Sequence, residues 1–340
     1  MEHKRKSTLI EFVLSRQKVH PEATGDFSIL LTQIALAGKI ISRELKQAGL
    51  AGTLGLSGDT NVFGEEVKKL DQYANQIFVR TLKGSSMVGI MSSEEMDEPA
   101  HFECGGSSGR YVVVIDPLDG SSNTDVNGNL GSIFAIFPKI TQGDKATEAD
   151  LLRPGSQMVA AGYIVYGPGT VFVYATREGV NGFTLDIGFG EFLLSHSNIR
   201  IPTQGKYYSV NESYYPKWEK PVQRFVDYLR GTDGSGRKAH SGRYSGSLTA
   251  DFHRLLLEGG VYLYPGEAGG GSKAAGKLRL LYEAAPLGFV VHQAGGLAST
   301  GTRRVLDMEP DSLQQRVPLY IGSVEDISLL ENLYRQGSAV

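Results

Sequence analysis

Residues 112–123 read VVVIDPLDGSSN, a run of four strand-forming aliphatics that ends in two aspartates around Pro117 and Leu118. The aliphatic run has the character of a buried strand. Carboxylates at the end of such a strand are costly unless paired charges or a metal compensate their desolvation. Asp116 and Asp119 stand three apart across a turn that Pro117 stiffens, which lets both carboxylates, with the Leu118 carbonyl between them, face one point. Gly120, Ser121, Ser122 and Asn123 follow, and this run is able to open a helix whose backbone N–H groups and hydroxyls hold a phosphate.

Other acidic residues belong to the same question. VGIMSSEE (88–95) reads as a strand that finishes in Glu94 and Glu95, and neighbours on an extended chain point to opposite sides. Glu283 lies in the apolar stretch LRLLYEAAPLG, and Asp71 interrupts KKLDQYA. The ordinary readings are a solvated pair for Glu94 and Glu95, a turn for Asp116 and Asp119, and an ion pair of Glu283 with Lys277 or Arg279. Carboxylates gathered from separate segments, with no His or Cys beside them, suit a hard cation such as Mg²⁺ better than zinc.

The chain of 340 residues is long enough for two domains or one large α/β unit. Its 37 acidic and 34 basic residues leave a formal charge of −3, which offers no nucleic-acid footprint. No apolar stretch is long enough to span a membrane, and the basic start reads as an amphipathic helix and not as a signal peptide. The single cysteine, Cys104, excludes an intrachain disulfide and a multi-cysteine zinc site, so the expected compartment is the cytoplasm.

Apolar spacing predicts a long amphipathic helix over 26–48, stopped by Gly49, then a glycine-punctuated loop (52–64) and a second helix over 65–83. Strands are expected over 110–120, 131–137, within 158–176 and around 185–195. The second half reads as helices over 216–231, 247–259, 277–295 and 326–334, with VYLYP as a strand. Elements come in blocks as much as in alternation, which predicts a layered α+β fold, with a boundary near residue 200 separating halves 1–200 and 201–340. GEAGGGSK (266–273) echoes a phosphate loop, but it ends in Ser-Lys and follows Tyr-Pro, so it is read as a surface loop.

DPLDGSSN resembles the signature of the metal-dependent, lithium-sensitive sugar and inositol phosphatases. The segments NVFGEEVKKLD, SSEE, AAGYIVYG, GEFLL, NESYY, GRYSGSLTADFHR, GGVYLYP and GKLRLLYEAAP narrow the resemblance to the class I fructose-1,6-bisphosphatase family, in order from about residue 8 to residue 335. The resemblance implies an α/β/α/β sugar phosphatase fold of mixed sheets and helix layers, and hydrolysis of fructose 1,6-bisphosphate to fructose 6-phosphate, in gluconeogenesis or carbon fixation. It implies two or three Mg²⁺, replaceable by Mn²⁺, on Glu94, Asp116, Asp119, Glu283 and the Leu118 carbonyl. Glu65, where many relatives carry aspartate, assists from a loop that also holds Asn61. Asp71 and Glu95 match the pair that polarises the attacking water.

Ser121, Ser122 and Arg279 would clamp the 1-phosphate, beside Asp119 and Gly120. Asn211, Tyr214, Arg243, Tyr244, Tyr264 and Lys277 match the 6-phosphate and sugar contacts. Arg243 would reach in from a neighbouring subunit, which implies a homo-oligomer, a tetramer. Thr24, Gly25, Asp26 and Phe27, with Arg110 and Tyr111, match an AMP effector site, although Pro138 replaces a basic residue and Asp26 a glutamate found there in many relatives. The alternatives carried forward are a sedoheptulose-1,7-bisphosphatase or dual-specificity enzyme, and a non-catalytic metabolite sensor. An inositol-phosphate or nucleotide phosphatase would leave NESYY and GRYSG without a purpose.

Overall fold

The computed structural model describes residues 6–18, 24–60, 66–103, 109–143, 145–236, 238–271 and 274–337. Asn61, Glu65, Cys104 and the Ser272-Lys273 pair lie outside the described residues.

Helices α1 (Leu9–Gln17) and α2 (Asp26–Ala51) lead into a ribbon of β1 (Leu56–Thr60) and β2 (Glu66–Lys68), followed by α3 (Lys69–Ser85). An eight-stranded sheet comes next: β3 (Val88–Ser93), β4 (Ala100–His101), β5 (Tyr111–Asp119), β6 (Leu130–Pro138), β7 (Ala160–Tyr166), β8 (Thr170–Thr176), β9 (Gly179–Asp186) and β10 (Glu191–His196). Its order is β10-β9-β8-β7-β6-β5-β3-β4, and the β3–β5 pair is parallel in an otherwise antiparallel ladder. The rest of the chain contains β11 (Tyr207–Ser209), α4 (Lys220–Arg230), β12 (Ser241–Gly242), α5 (Leu248–Glu258), β13 (Gly260–Tyr264), β14 (Leu278–Arg279), α6 (Ala285–Gln293), β15 (Leu297–Ser299), β16 (Arg316–Val317), β17 (Leu319–Gly322) and α7 (Val324–Gly337). A second sheet runs β12-β11-β13-β17-β15, and β14 pairs with β16 alone.

Residues of β3 and β5–β7 are almost all buried because both faces of the large sheet are covered, so these strands read as continuous apolar runs. On one face Val113, Ile115, Phe134 and Phe172 pack against Leu30 and Ile34 of α2 and Phe78 of α3. On the other, Val112, Val114, Ile133 and Tyr163 meet Phe252 and Leu255 of α5, Leu287 and Val290 of α6, and Tyr262 and Ile321 of the second sheet. Val261, Leu263 and Tyr320, on the far side of that sheet, pack under Phe225 and Leu229 of α4 and Leu330 of α7. The expected helix–sheet–helix–sheet layering is present, and α4 with α7 adds a fifth layer. No described helix is long and apolar enough to cross a membrane.

Four local readings change. Gly49 lies inside α2, which ends at Gly52 in the left-handed conformation (φ +70°). Within the expected glycine loop, Leu56–Thr60 is a strand. The helix expected from 65 starts at Lys69, because the chain at Glu66–Lys68 pairs with β1. The helix expected over 277–295 begins with a strand, β14, passes through a π-helical turn (Leu280–Ala284) and becomes α-helical only at Ala285. The pairing of β14 with β16, extended by the Leu280 N–H donating to the Gln315 carbonyl at 2.8 Å, overrides local helix propensity there.

Candidate active site

The site begins at an irregularity in β5. Its partner β6 pairs Asp116 with Ile133 and Asp119 with Gly131, so two β5 residues are spanned by one residue of β6. In a regular strand residues three apart point to opposite faces; this bulge re-phases β5, and both aspartates come to the face covered by α5 and α6. DPLD therefore remains within the strand and is not the free turn expected from Pro117. Ser132, opposite the bulge, donates its hydroxyl to the Pro117 carbonyl at 2.7 Å.

Glu94 directly follows β3, the parallel neighbour of β5. Glu283 reaches the same spot from the π-helical turn, an irregularity of a kind frequent at functional sites. Glu94, Asp116 and Glu283 each place a carboxylate oxygen within 4.8 Å of the others, and among the described residues no His or Cys joins them. Burial, then the charge of Glu94, pushes the Asp116 carboxyl well above the ordinary range, and the same two causes raise Glu283. The Arg279 guanidinium donates to Glu94, and the Arg279 backbone N–H donates to Glu283 Oε2 at 2.6 Å, offsetting part of the repulsion. A largely buried, oxygen-only, mutually repelling carboxylate group is the donor set that a hard divalent cation fits.

Asp119 lies beside this group and is held from the second half of the chain. Its Oδ2 accepts from the Ser247 hydroxyl and the Thr249 N–H, both at 2.8 Å, at the first turn of α5. Burial raises its pKa and these two donors lower it. Close approach makes this possible: a Cβ on Gly131 would meet the Thr249 side chain at 2.4 Å. The Leu118 N–H donates to Asp116 Oδ1 at 3.1 Å. Gly120 is left-handed (φ +78°), and Ser121–Val126 form a six-residue 3₁₀ turn, shorter than the helix expected to open there.

Asp71, in the first turn of α3, is buried, and its Oδ1 is without a hydrogen-bond partner. Burial is the main reason its pKa rises to about 7; Glu94 adds to this, while the Lys68 N–H and the Ser121 hydroxyl oppose it. Glu95 stands close enough to contribute to the upward shift of Asp116.

Asn211, Tyr214, Tyr264 and Lys277 line one cavity of about 390 Å³, together with Arg316 and Glu267. This cavity adjoins the carboxylates: burial, Tyr244, Tyr214 and Glu283 push the Tyr264 hydroxyl up to about 12. Arg243 does not line it. That side chain is on the surface, donating to the Gly242 carbonyl at 2.7 Å, with its guanidinium 5.7 Å from the Tyr207 ring centroid. Tyr244, 45% exposed, is also outside the lining but feels the charges of Asp251 and Asp119.

A larger cavity, about 770 Å³, opens at the start of α2 and is lined by Thr24, Gly25, Phe27 and Tyr111, and also by Arg16 and Arg153. Asp26 and Arg110 form an ion pair at 3.1 Å beside it, and Arg110 also donates to the Thr24 hydroxyl at 3.2 Å. Sequence reasoning missed Arg316, Arg153 and the Ser247–Thr249 clasp on Asp119. Arg316 and Arg153 carry no local motif, and GRYSGSLTADFHR, which holds Ser247 and Thr249, does not by itself point to Asp119; only the fold brings them to these sites.

The chain matches the family described as "Fructose-1-6-bisphosphatase, N-terminal domain" over residues 7–197, and its C-terminal domain over residues 201–335. It is 48% identical to the class 1 fructose-1,6-bisphosphatase of Maridesulfovibrio salexigens over 330 residues, 97% of this chain and 98% of that one. A class 1 fructose-1,6-bisphosphatase of Acaryochloris marina is 49% identical over 314 residues, 92% and 93% of the two chains. The crystal structure of Leishmania major fructose-1,6-bisphosphatase in holo form superposes with a TM-score of 0.90 at 38% identity, covering 97% of this chain and 99% of that one. The chain belongs to the fructose-1,6-bisphosphatase family.

Proposed function

We propose that this chain hydrolyses fructose 1,6-bisphosphate to fructose 6-phosphate and phosphate. The observation that carries the reading is the juxtaposition of the Glu94–Asp116–Glu283 group with a cavity lined by Lys277, Arg316 and two tyrosines. One part suits a metal and the phosphoryl group under attack; the other suits the remaining phosphate and the sugar.

Glu94, Asp116, Asp119 and Glu283, with the Leu118 carbonyl, would hold two or three Mg²⁺, with Mn²⁺ as a substitute and Glu65 assisting. When bound, these ions supply charge neutralisation and a more acidic water. Asp71, with an open buried oxygen and a pKa near neutrality, takes a proton from the attacking water, and Glu95 orients that water. Water attacks phosphorus, the bond from phosphorus to the sugar C1 oxygen breaks, and that oxygen leaves with a proton. Arg279 and the Ser121 and Ser122 hydroxyls bind the phosphoryl oxygens as charge builds there. Asn211, Tyr214, Tyr264 and Lys277 retain the 6-phosphate and sugar, with Tyr244 at the margin. The exposed position of Arg243 suits a contact made across a subunit boundary, which would make the working form a homo-oligomer, a tetramer. Residues 1–200 then supply most of the metal site and 201–340 the sugar-phosphate cavity.

The cavity beside Thr24, Gly25, Phe27 and Tyr111 suits AMP as an effector. Binding of AMP to the purified protein, with and without Mg²⁺, tests this; no binding at millimolar AMP ends it. For the reaction, the test is phosphate release from fructose 1,6-bisphosphate in Mg²⁺ with Asp119→Asn alongside. Turnover that falls roughly a thousandfold in the variant is expected. A wild type inactive on this substrate but active on sedoheptulose 1,7-bisphosphate would leave the chemistry standing and replace the substrate. Inactivity on both, with sugar bisphosphate still bound, would identify a sensor.

A further inference from the structure

The two-stranded β14–β16 ladder joins the two parts of the site. Its register sets Arg279 directly opposite Arg316. Residues so paired share a face, with Cβ atoms about 4.5–5.5 Å apart, and like charges there repel. The repulsion is relieved if the two guanidiniums turn to different anions. Arg279 does so on its side: it is buried, it donates through Nη1 to Glu94, and its Nε donates to Gln314 Oε1 at 2.8 Å. Arg316, half-buried, forms part of the wall of the 390 Å³ cavity.

The company Arg316 keeps in that wall is suited to an anion. Lys277, one residue before β14, supplies a second cation, and Asn211, Tyr214 and Tyr264 supply neutral hydrogen-bonding groups. The acidic residue of the lining, Glu267, is already engaged with Lys217 at 3.5 Å. Arg316 lowers the pKa of the Tyr264 hydroxyl while Glu283 raises it, so this tyrosine stands between the cation of the cavity and the carboxylate group. A ligand with anionic groups at both ends of a short sugar would answer both arginines at once. Arginine adds a planar fork that can hold two phosphate oxygens, which the point charge of Lys277 cannot do.

We propose that Arg316 is a substrate-binding residue that sets the preference for a bisphosphate over a monophosphate. Its guanidinium takes the phosphate remote from the bond that is cleaved, alongside Lys277. The inference rests on reading this cavity as the site of the 6-phosphate, and the experiment separates the two.

Steady-state kinetics of wild type, Arg316→Gln and Arg316→Lys are compared on fructose 1,6-bisphosphate and on fructose 1-phosphate, which lacks the remote phosphate. For the bisphosphate, Arg316→Gln raises KM roughly ten- to hundredfold, as expected for one lost charge-assisted contact, and leaves kcat within about threefold. On fructose 1-phosphate kcat/KM changes less than about threefold, and Arg316→Lys recovers part of the bisphosphate KM. Equal losses on both substrates would make Arg316 structural and overturn the proposal, as would an unchanged KM. Calorimetric binding of fructose 6-phosphate supplies a readout that needs no turnover. Binding at least about tenfold weaker in Arg316→Gln is expected, and equal binding overturns the proposal. A wild type that binds fructose 6-phosphate but hydrolyses neither substrate would sink the activity reading and leave the role of Arg316 to that calorimetric comparison. If Arg316→Gln fails to fold, Arg316→Lys carries the same comparison with its charge in place and its fork removed.

Discussion

Asp71 is the residue whose surroundings make the sharpest claim about pH. In the folded protein burial keeps it protonated to about pH 7, whereas its ordinary value is 3.8. The group therefore favours the folded state most below the unfolded value, and that contribution is lost as pH rises to about 7, then stays constant. His253 has the opposite slope: burial lowers it from 6.5 to about 4, so its contribution is complete above 6.5 and is lost as pH falls. The two oppose one another across the acid range, so Asp71 is best isolated by an isosteric change. In metal-free protein, the melting temperature of Asp71→Asn relative to wild type should be higher at about pH 8 than at about pH 5. A difference that does not grow with pH would mean that Asp71 is not held protonated.

Among the elements, the bulged end of β5 and the first turn of α5 have to approach more closely than ordinary side chains permit. Gly120 is where this can be tested: it is left-handed, and an added Cβ would lie 2.7 Å from the Ser247 Cβ. Gly120→Ala should cost about 1–3 kcal/mol in chemical unfolding. It should also lower activity by more than that stability loss accounts for, because Ser247 is one of the two donors on Asp119. Full activity in a destabilised variant would show that the clasp does not position Asp119.

This scale also shows what could be read from the sequence. VVVI and GSIFAIF were legible as strands because the sheet is buried on both faces and selects continuous aliphatic runs. The Asp116–Asp119 pair was legible because charge at the end of such a run demands an explanation. LRLLYEAAP misled because leucine, glutamate and alanine favour a helix, and the strand at Leu278–Arg279 depends on a partner 37 positions further along. The two- to four-residue strands β11, β12, β15, β16 and β17 carry too few side chains for a period to register. Arg316 sits on one of them, without a motif around it.

At the scale of the molecule, the carboxylate group is shared between the two halves of the chain. Asp116 belongs to the large sheet and Glu94 directly follows one of its strands, Glu283 comes from the turn before α6, and Asp119 is clasped by the start of α5. A divalent cation bound there cross-links both halves, so it should stabilise them as one unit. Calorimetry of metal-free protein titrated with Mg²⁺ should show a single unfolding transition moving upward by several degrees. Two transitions, of which the cation moves one, would show that the halves are not coupled through the site.

The order in which the four carboxylates occur along the chain has its own consequence during synthesis. A polypeptide still emerging from the ribosome, with the large sheet complete but residues beyond about 270 not yet made, already carries Glu94, Asp116 and Asp119. It lacks Arg279 and Glu283, and so lacks both the last carboxylate of the group and the guanidinium that tempers the others. On the proposed roles of these residues, such a nascent chain would not turn over however well its first half has folded. On that assignment, catalytic competence would arrive late, when Glu283 is delivered, and would mark a chain whose second half has been built as far as the turn before α6.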